Sequence, residues 1–400
     1  MPGTEGSEMY DVAVVGGGPA GRIAALVLAD KGLSVVLFAP AAIQTDGRTT
    51  ALWQQSLDLL RNIGVWADLK ASAAPLEKMR MIDATSRLIR APEVTFDSSE
   101  LGIETFGFNM LNSALNVILE NTCANAINIT CITEPASHVQ FGSDYAYIST
   151  ESGRTVKAQL AVAADGRRSL LRETAGIGVK RWSYPQEALV INLEHSVPHH
   201  SVSTEFHTPT GPFTLVPLSG NQSSLVCVET AEEAARMKAL PAEDLERELE
   251  HRAHSILGQF KLVSDPQTFP LSGMTAKSLV GPRLVLIGET AHVFPPIGAQ
   301  GLNLSMRDIS DLAKVLSGAK QRQLGLGDTE ILMSYEKKRF GDIRQRTKAV
   351  DMLNRSLLTD FLPVQVARSG GMYLAGKIGP FRRLLMREGM APGSGLQPKA

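Results

Sequence analysis

The stretch YDVAVVGGGPAGRIAALVLADKGLSVVLFAP, residues 10–40, constrains the fold of this chain more than any other. Asp11 to Val15 is short and β-rich, the composition of a buried strand. Ile23 to Ala29 has helical composition, Gly32 ends that helix, and Leu33 to Phe38 reads as a second buried strand. Between strand and helix, Gly16, Gly18 and Gly21 stand at the GxGxxG spacing. In such a turn the first glycine permits the tight bend and the second lets a pyrophosphate approach the backbone. The third lets the helix pack closely on the strand. The helix N-terminus then stabilises the phosphate charge. A lone GxGxxG is often only a turn. Its place inside a complete strand–helix–strand unit favours dinucleotide binding. One feature cuts against this: the second strand normally closes on Glu or Asp, which binds the adenosine ribose. Here it closes on Phe38-Ala39-Pro40, and Ala39 cannot accept a hydrogen bond.

The chain has 400 residues, enough for a large core and two packed domains. Charged residues make up 20% and the formal net charge is −1, so charge gives no reason to expect a nucleic-acid partner. Cys123, Cys131 and Cys227 form no CxxC pair and read as reduced, buried thiols of a cytosolic protein. The start, MPGTEGSEMY, has no basic and apolar leader pattern, and no stretch reads as a membrane span. A cytoplasmic protein is therefore expected. His199 and His200 are adjacent, and His251 and His254 lie at i, i+3, but no acid or cysteine cluster completes a ligand set. No metal is expected. His292 reads as a structural hydrogen-bonding residue. No side chain stands out as catalytic acid or base, so the catalytic residues stay unassigned.

Three further segments follow in order: DGRTTALWQQSLDLLRNIGVW at 46–66, LAVAADGRRSLLRETAGI at 160–177 and RLVLIGETAHVFPPIGAQGLNLSMRD at 283–308. The last reads as a buried strand, an acidic turn, a bend on Pro295 and Pro296, and a helix that starts at about GLNL. Together with the N-terminal turn, these segments resemble the flavin-dependent aromatic hydroxylases related to p-hydroxybenzoate hydroxylase. The nearest likeness is to the ubiquinone-biosynthesis hydroxylases, and it extends over nearly the whole chain, including the tail FRRLLMREGMAPG.

The resemblance implies FAD as cofactor, NAD(P)H as electron donor, O2 as co-substrate and an aromatic, polyprenylated substrate. It implies cofactor contacts at Gly16, Gly18, Ala20, Gly21, Arg48, Asp165, Glu289, Pro296, Gly298, Gln300, Gly301, Leu302 and Asn303. Glu289 would reach the flavin ribityl chain, and Arg48 the flavin or its diphosphate. Pro295 and Pro296 would turn the chain over the isoalloxazine. Gly298 to Asn303 would aim backbone N–H groups and a helix N-terminus at the pyrimidine side, where a reduced flavin is negative. Asp165 would hold its turn near the diphosphate and the nicotinamide approach. Read from the residues alone, it would cap a helix beginning near Arg168, and both roles can hold together. Three positions depart from the family pattern. Ala39 replaces an acid, Glu289 is one methylene longer than Asp, and Asn109 stands where Arg or Gln would begin a helix.

The expected fold is α/β: a Rossmann-like FAD-binding domain with an inserted α+β substrate domain on a mostly antiparallel sheet. The FAD-binding domain takes residues 1–75, 106–178 and 276–345, the substrate domain 76–105 and 179–275, and a C-terminal helical region 346–400. EALVINLEHS, FTLVPLSG and SSLVCVET read as sheet strands, and residues 231–257 as two helices broken at Pro241. The C-terminal region reads as helical, interrupted near Pro363 and at Gly370-Gly371. GKIGPFRRLLMREGM, residues 376–390, reads either as a basic amphipathic helix on an anionic membrane surface or as a terminal helix docked on the body. Three functions stay open. One is a monooxygenase that hydroxylates a ubiquinone precursor. The second is an accessory subunit of a quinone-biosynthesis complex that binds FAD weakly or not at all. The third is a flavin reductase of isoprenoid lipids.

Overall fold

The computed structural model describes residues 8–40, 47–85, 90–295, 300–358 and 362–390. The N-terminal strand Glu8–Val15 lies near the middle of the first sheet. It pairs in parallel with Val35–Phe38 on one side and Thr155–Ala163 on the other. Ile129–Ile132 and Leu284–Leu286 extend the parallel order outward. These strands are continuous apolar runs because both faces are covered: Val12 to Val14, Val35 to Phe38 and Leu160 to Ala163 are wholly buried. The helices Pro19–Asp30 and Gln300–Gln321 pack together beside this sheet.

The second sheet is antiparallel apart from one pair, Val202–His207 with Lys78–Asp83. Its spine is the 17-residue strand Val179–His195, flanked by Gln222–Thr230 and Gln267–Ala276. Side chains alternate between faces with period two. Leu189, Ile191, Leu193, Leu225 and Cys227 pack on one face against Met237, Leu245 and Leu249 of the helices Ala231–Lys238 and Ala242–Arg252. These two helices are interrupted at Pro241 as the sequence predicts. On the opposite face Ala188, Val190, Val226, Val228, Phe269 and Leu271 cluster separately.

Thr49–Trp53, Gly107–Leu111 and Ala74–Leu76 form a small third sheet. Asn109 ties it to the second sheet by donating from Nδ2 to the Pro217 carbonyl at 2.9 Å. The helix after this strand begins at Asn112, so Asn109 is a buried strand residue and not a helix-start residue.

Two other expectations change. The helix Leu362–Lys377 runs unbroken through Gly370 and Gly371. Cys131 is exposed; only Cys123 and Cys227 are buried, and burial pushes both thiols up to about 12. Among the described residues, no helix is long and apolar enough to cross a membrane.

Candidate cofactor site

The glycines of the first turn separate into two kinds. Gly16 has φ +138°, and a Cβ there would collide with the Ala164 carbonyl. A Cβ on Gly21 would strike the Gly16 carbonyl oxygen, and one on Gly17 would lie 2.9 Å from that of Pro40. Internal packing therefore requires all three. Gly18 is different: its φ of −77° suits any residue, and a Cβ there meets nothing within 4 Å. The space beside it lies at the start of the Pro19–Asp30 helix. That end has no side-chain cap and no acid in its first turn, which includes Ala20. An uncapped helix N-terminus beside open space suits an anion, and the turn fits the diphosphate of FAD.

Arg22 braces the turn from below, a role the sequence reading missed. It is 2% exposed, donates from Nε to the Gly17 carbonyl at 2.8 Å, and lies 3.3 Å from the Glu120 carboxylate.

A second turn, at Asp165-Gly166, is locked to the turn at Gly288–Thr290. The Gly166 N–H donates to Thr290 Oγ1 at 3.0 Å, and that hydroxyl donates to Asp165 Oδ1 at 3.3 Å. The following helix spans Leu170–Thr174, and Ser169 caps it by accepting from the Arg172 N–H. It starts later than expected, and Asp165 contributes only a long bond of 3.4 Å from the Leu171 N–H. Buried Arg172 donates to the carbonyls of Thr290 and Arg167. Glu289 is exposed and pairs with Arg167, both contacts at 3.2 Å.

Asp308 anchors the same turn from inside. Its Oδ2 accepts the Gly288 N–H at 3.1 Å and lies 2.6 Å from His292 Nε2. Its Oδ1 accepts from Arg339 Nε at 2.8 Å. Burial alone would push this carboxyl up, but His292, Arg339 and the Gly288 N–H outweigh it and hold it below the usual carboxylate range. His292 is thus a structural hydrogen-bonding residue, as the sequence suggested. No nearby signal in the sequence announces Asp308, because its partners lie 16 to 31 residues away.

The Gln300–Gln321 helix starts close to where the sequence places it. Pro296 and Gly298 lie outside the described residues. Leu302 packs on the core, and a Cβ on Gly301 would meet nothing within 4 Å. The Asn303 side chain is turned to the small sheet. Its Oδ1 accepts from the Trp53 N–H and Ser56 Oγ, and its Nδ2 donates to the Ala51 carbonyl. Arg48 stands next to the same sheet, with its guanidinium 5.1 Å from the centroid of the Phe269 ring. Beside Arg167 is a cavity of about 370 Å³ lined by Arg181, Trp182, Met274 and Val293 among others. A larger surface hollow of about 790 Å³, at Leu26, Ile63 and Asn125, lies at the far end of the first helix from Gly18.

A family model described as FAD binding domain matches residues 9–349. The chain belongs to this FAD-binding family. It is 34% identical over 391 residues to a protein named ubiquinone hydroxylase UbiL from Rhodospirillum rubrum, covering 96% of this chain and 90% of that one. It is 28% identical to the 3-demethoxyubiquinol 3-hydroxylase of Escherichia coli, covering 94% and 97% of the two chains. The fold is also that of p-nitrophenol 4-monooxygenase PnpA from Pseudomonas putida DLL-E4, with a TM-score of 0.77, 20% identity and coverage of 96% and 98%. Membership in the FAD-binding family agrees with the open space at Gly18, which no described residue fills.

Proposed function

We propose that this protein is an FAD-dependent monooxygenase that hydroxylates the aromatic ring of a polyprenylated ubiquinone precursor, with NAD(P)H as electron donor and O2 as co-substrate. The observation that carries it is the open cradle at Gly18, in a chain that aligns over 94–96% of its length with a protein named ubiquinone hydroxylase and one named 3-demethoxyubiquinol 3-hydroxylase. Bound FAD, once reduced, supplies activated oxygen to an electron-rich ring. The chain's own residues hold and orient. Gly16, Gly18, Ala20 and Gly21 receive the diphosphate. The Asp165–Thr290 and Asp308–Gly288 bonds fix the turn that presents Glu289. Arg48 stands between the small sheet and Phe269. The apolar face at Val190, Val226 and Leu271 provides a dry wall for the ring. Arg167, Arg181 and Trp182 supply two guanidinium groups and an aromatic face beside the flavin turn, which suits an approaching pyridine nucleotide.

Two features support contact with a bilayer, where a polyprenyl substrate resides. Tyr373, Leu374 and Leu385 on the last two helices, and Ile378 in the link between them, are exposed, and Lys377, Arg383 and Arg387 lie among them. The accessory-subunit reading loses one of its three supports, because Asn109 is a strand residue bonded to Pro217.

The test is turnover of the purified protein. Yellow protein that consumes NAD(P)H and O2 in step with a hydroxylated product supports the proposal. Colourless protein that cells still need would favour the accessory role. Product without a new oxygen would favour a reductase. The intermediate that accumulates in a deletion strain identifies the substrate.

A further inference from the structure

Two buried polar atoms on the second sheet have no hydrogen-bond partner among the described residues: Asn192 Oδ1 and Ser224 Oγ. They belong to directly opposed residues of the strands Val179–His195 and Gln222–Thr230. Opposed side chains of an antiparallel pair share a face. Ile191, Leu193 and Leu225 point to the helices behind the sheet. Alternation therefore places Asn192 and Ser224 on the other face, with Val190, Val226 and Phe269. Asn192 is 6% exposed and Ser224 0%.

This face meets the segment at Gly47 and Arg48, which the proposed function places at the cofactor. Asn192 Nδ2 donates to the Gly47 carbonyl at 2.8 Å, and the next residue, Arg48, lies against Phe269. The bond to Gly47 also orients the amide: the nitrogen is held by a carbonyl, so the oxygen faces away from it. Native structures rarely leave buried polar atoms unpaired, and two of them at adjoining positions in an apolar setting call for a partner that the described residues do not supply.

We propose that Asn192 Oδ1 and Ser224 Oγ form the hydrogen-bonding site for the ring hydroxyl of a phenolic substrate. The hydroxyl donates to Asn192 Oδ1 and accepts from Ser224 Oγ, while Val190, Val226 and Phe269 contact the ring. The proposal rests on the hydroxylase reading and adds a selection rule to it. A free phenol satisfies both atoms; its methyl ether cannot donate and leaves Asn192 Oδ1 unpaired. The pair therefore selects a ring with a free hydroxyl.

The experiment uses three probes, 2-geranylphenol, its methyl ether and geranylbenzene. Binding to the purified full-length protein is measured by calorimetry with and without FAD. The parent should bind the phenol about tenfold more tightly than either comparison probe, the scale of one to two neutral hydrogen bonds. Ser224→Ala should reduce that preference to about threefold or less and leave FAD affinity unchanged. Its melting temperature should hold or rise without ligand, because the hydroxyl it loses has no partner; a residue with a merely structural role would show a fall. Equal binding of phenol and ether by the parent, or undiminished preference in Ser224→Ala, overturns the proposal. If preference for the phenol is intact but no hydroxylated product forms, the hydroxylase reading fails and the site stands.

Discussion

Among the described residues nothing requires Gly18 to be glycine, whereas Gly16 and Gly21 are held to it by packing. This asymmetry makes a sharp prediction. Gly18→Val should fold with unchanged stability and lose FAD affinity by at least about a hundredfold, because its branched side chain fills the diphosphate space. Gly21→Ala should instead destabilise the protein by about 1–3 kcal/mol through overpacking against Gly16. Thermal melts and FAD titrations of the two variants separate these outcomes; Gly18→Val protein with parental FAD affinity would remove the site assignment. Asp308 gives a second test. Its carboxyl is held below the usual range, so its contribution to stability is present above pH about 4 and is lost as pH falls through the lower folded value. Asp308→Asn removes one of three carboxylates paired with buried Arg339, which keeps Asp311 and Asp342, and should cost about 1.5–3 kcal/mol at pH 7, with the gap to the parent narrowing in acid. Denaturant melts at pH 7 and pH 3 check both parts. Short-range spacing made the glycine turn legible in the sequence. The employment of Asn303 was not legible, since its partners Ala51, Trp53 and Ser56 lie about 250 residues away in the chain.

At the scale of elements, strands buried on one face were readable from period-two alternation, and the break at Pro241 from the missing amide hydrogen. Gly370-Gly371 misled because glycine costs only about 1 kcal/mol in a helix interior, and neighbouring contacts can outweigh that. Neither glycine has an atom within 4 Å of a built Cβ, so Gly370→Ala should stabilise the protein by about 0.5–1 kcal/mol in denaturant melts. Of the two readings of the last helix, the structure shows the docked one. Met386 is buried, and Arg382 lies 2.7 Å from Glu100, so one side docks on the body. Leu385 of this helix, Leu374 of the helix before it and Ile378 in the link between them remain 40–44% exposed. Replacing these three by Ser should change stability little, as surface substitutions do, yet reduce flotation with anionic liposomes. Raising salt to about 0.5 M should weaken flotation of the parent as well. Equal flotation of parent and triple variant would reject this face as the membrane contact.

At the scale of the whole molecule, the proposed site draws on distant segments: the glycine turn, Arg48, the Asp165 turn, the Gly288–Thr290 turn and the start of the Gln300–Gln321 helix. The sheets that carry them are cross-linked. Asn192 bonds to Gly47 and Asn109 to Pro217, and the Ala276 N–H donates to the Ala291 carbonyl where the chain leaves the second sheet for the first. His292–Val293, just after the Gly288–Thr290 turn, is itself an edge strand of the second sheet. Neither sheet can open without disturbing the turns of the other, so unfolding should be one event. Trp182 reports on the second sheet, and Trp53 and Trp66 lie in and after the small one. Fluorescence and circular dichroism should then give the same midpoint. A ligand that binds only the assembled site stabilises the native state by about 2.7 kcal/mol at a hundred times its dissociation constant. FAD should therefore raise that common midpoint in a concentration-dependent way, and Gly18→Val should abolish the rise while keeping the single transition. Two separate transitions, with FAD moving only one, would show that the sheets fold independently and that the cofactor is held by the first of them alone.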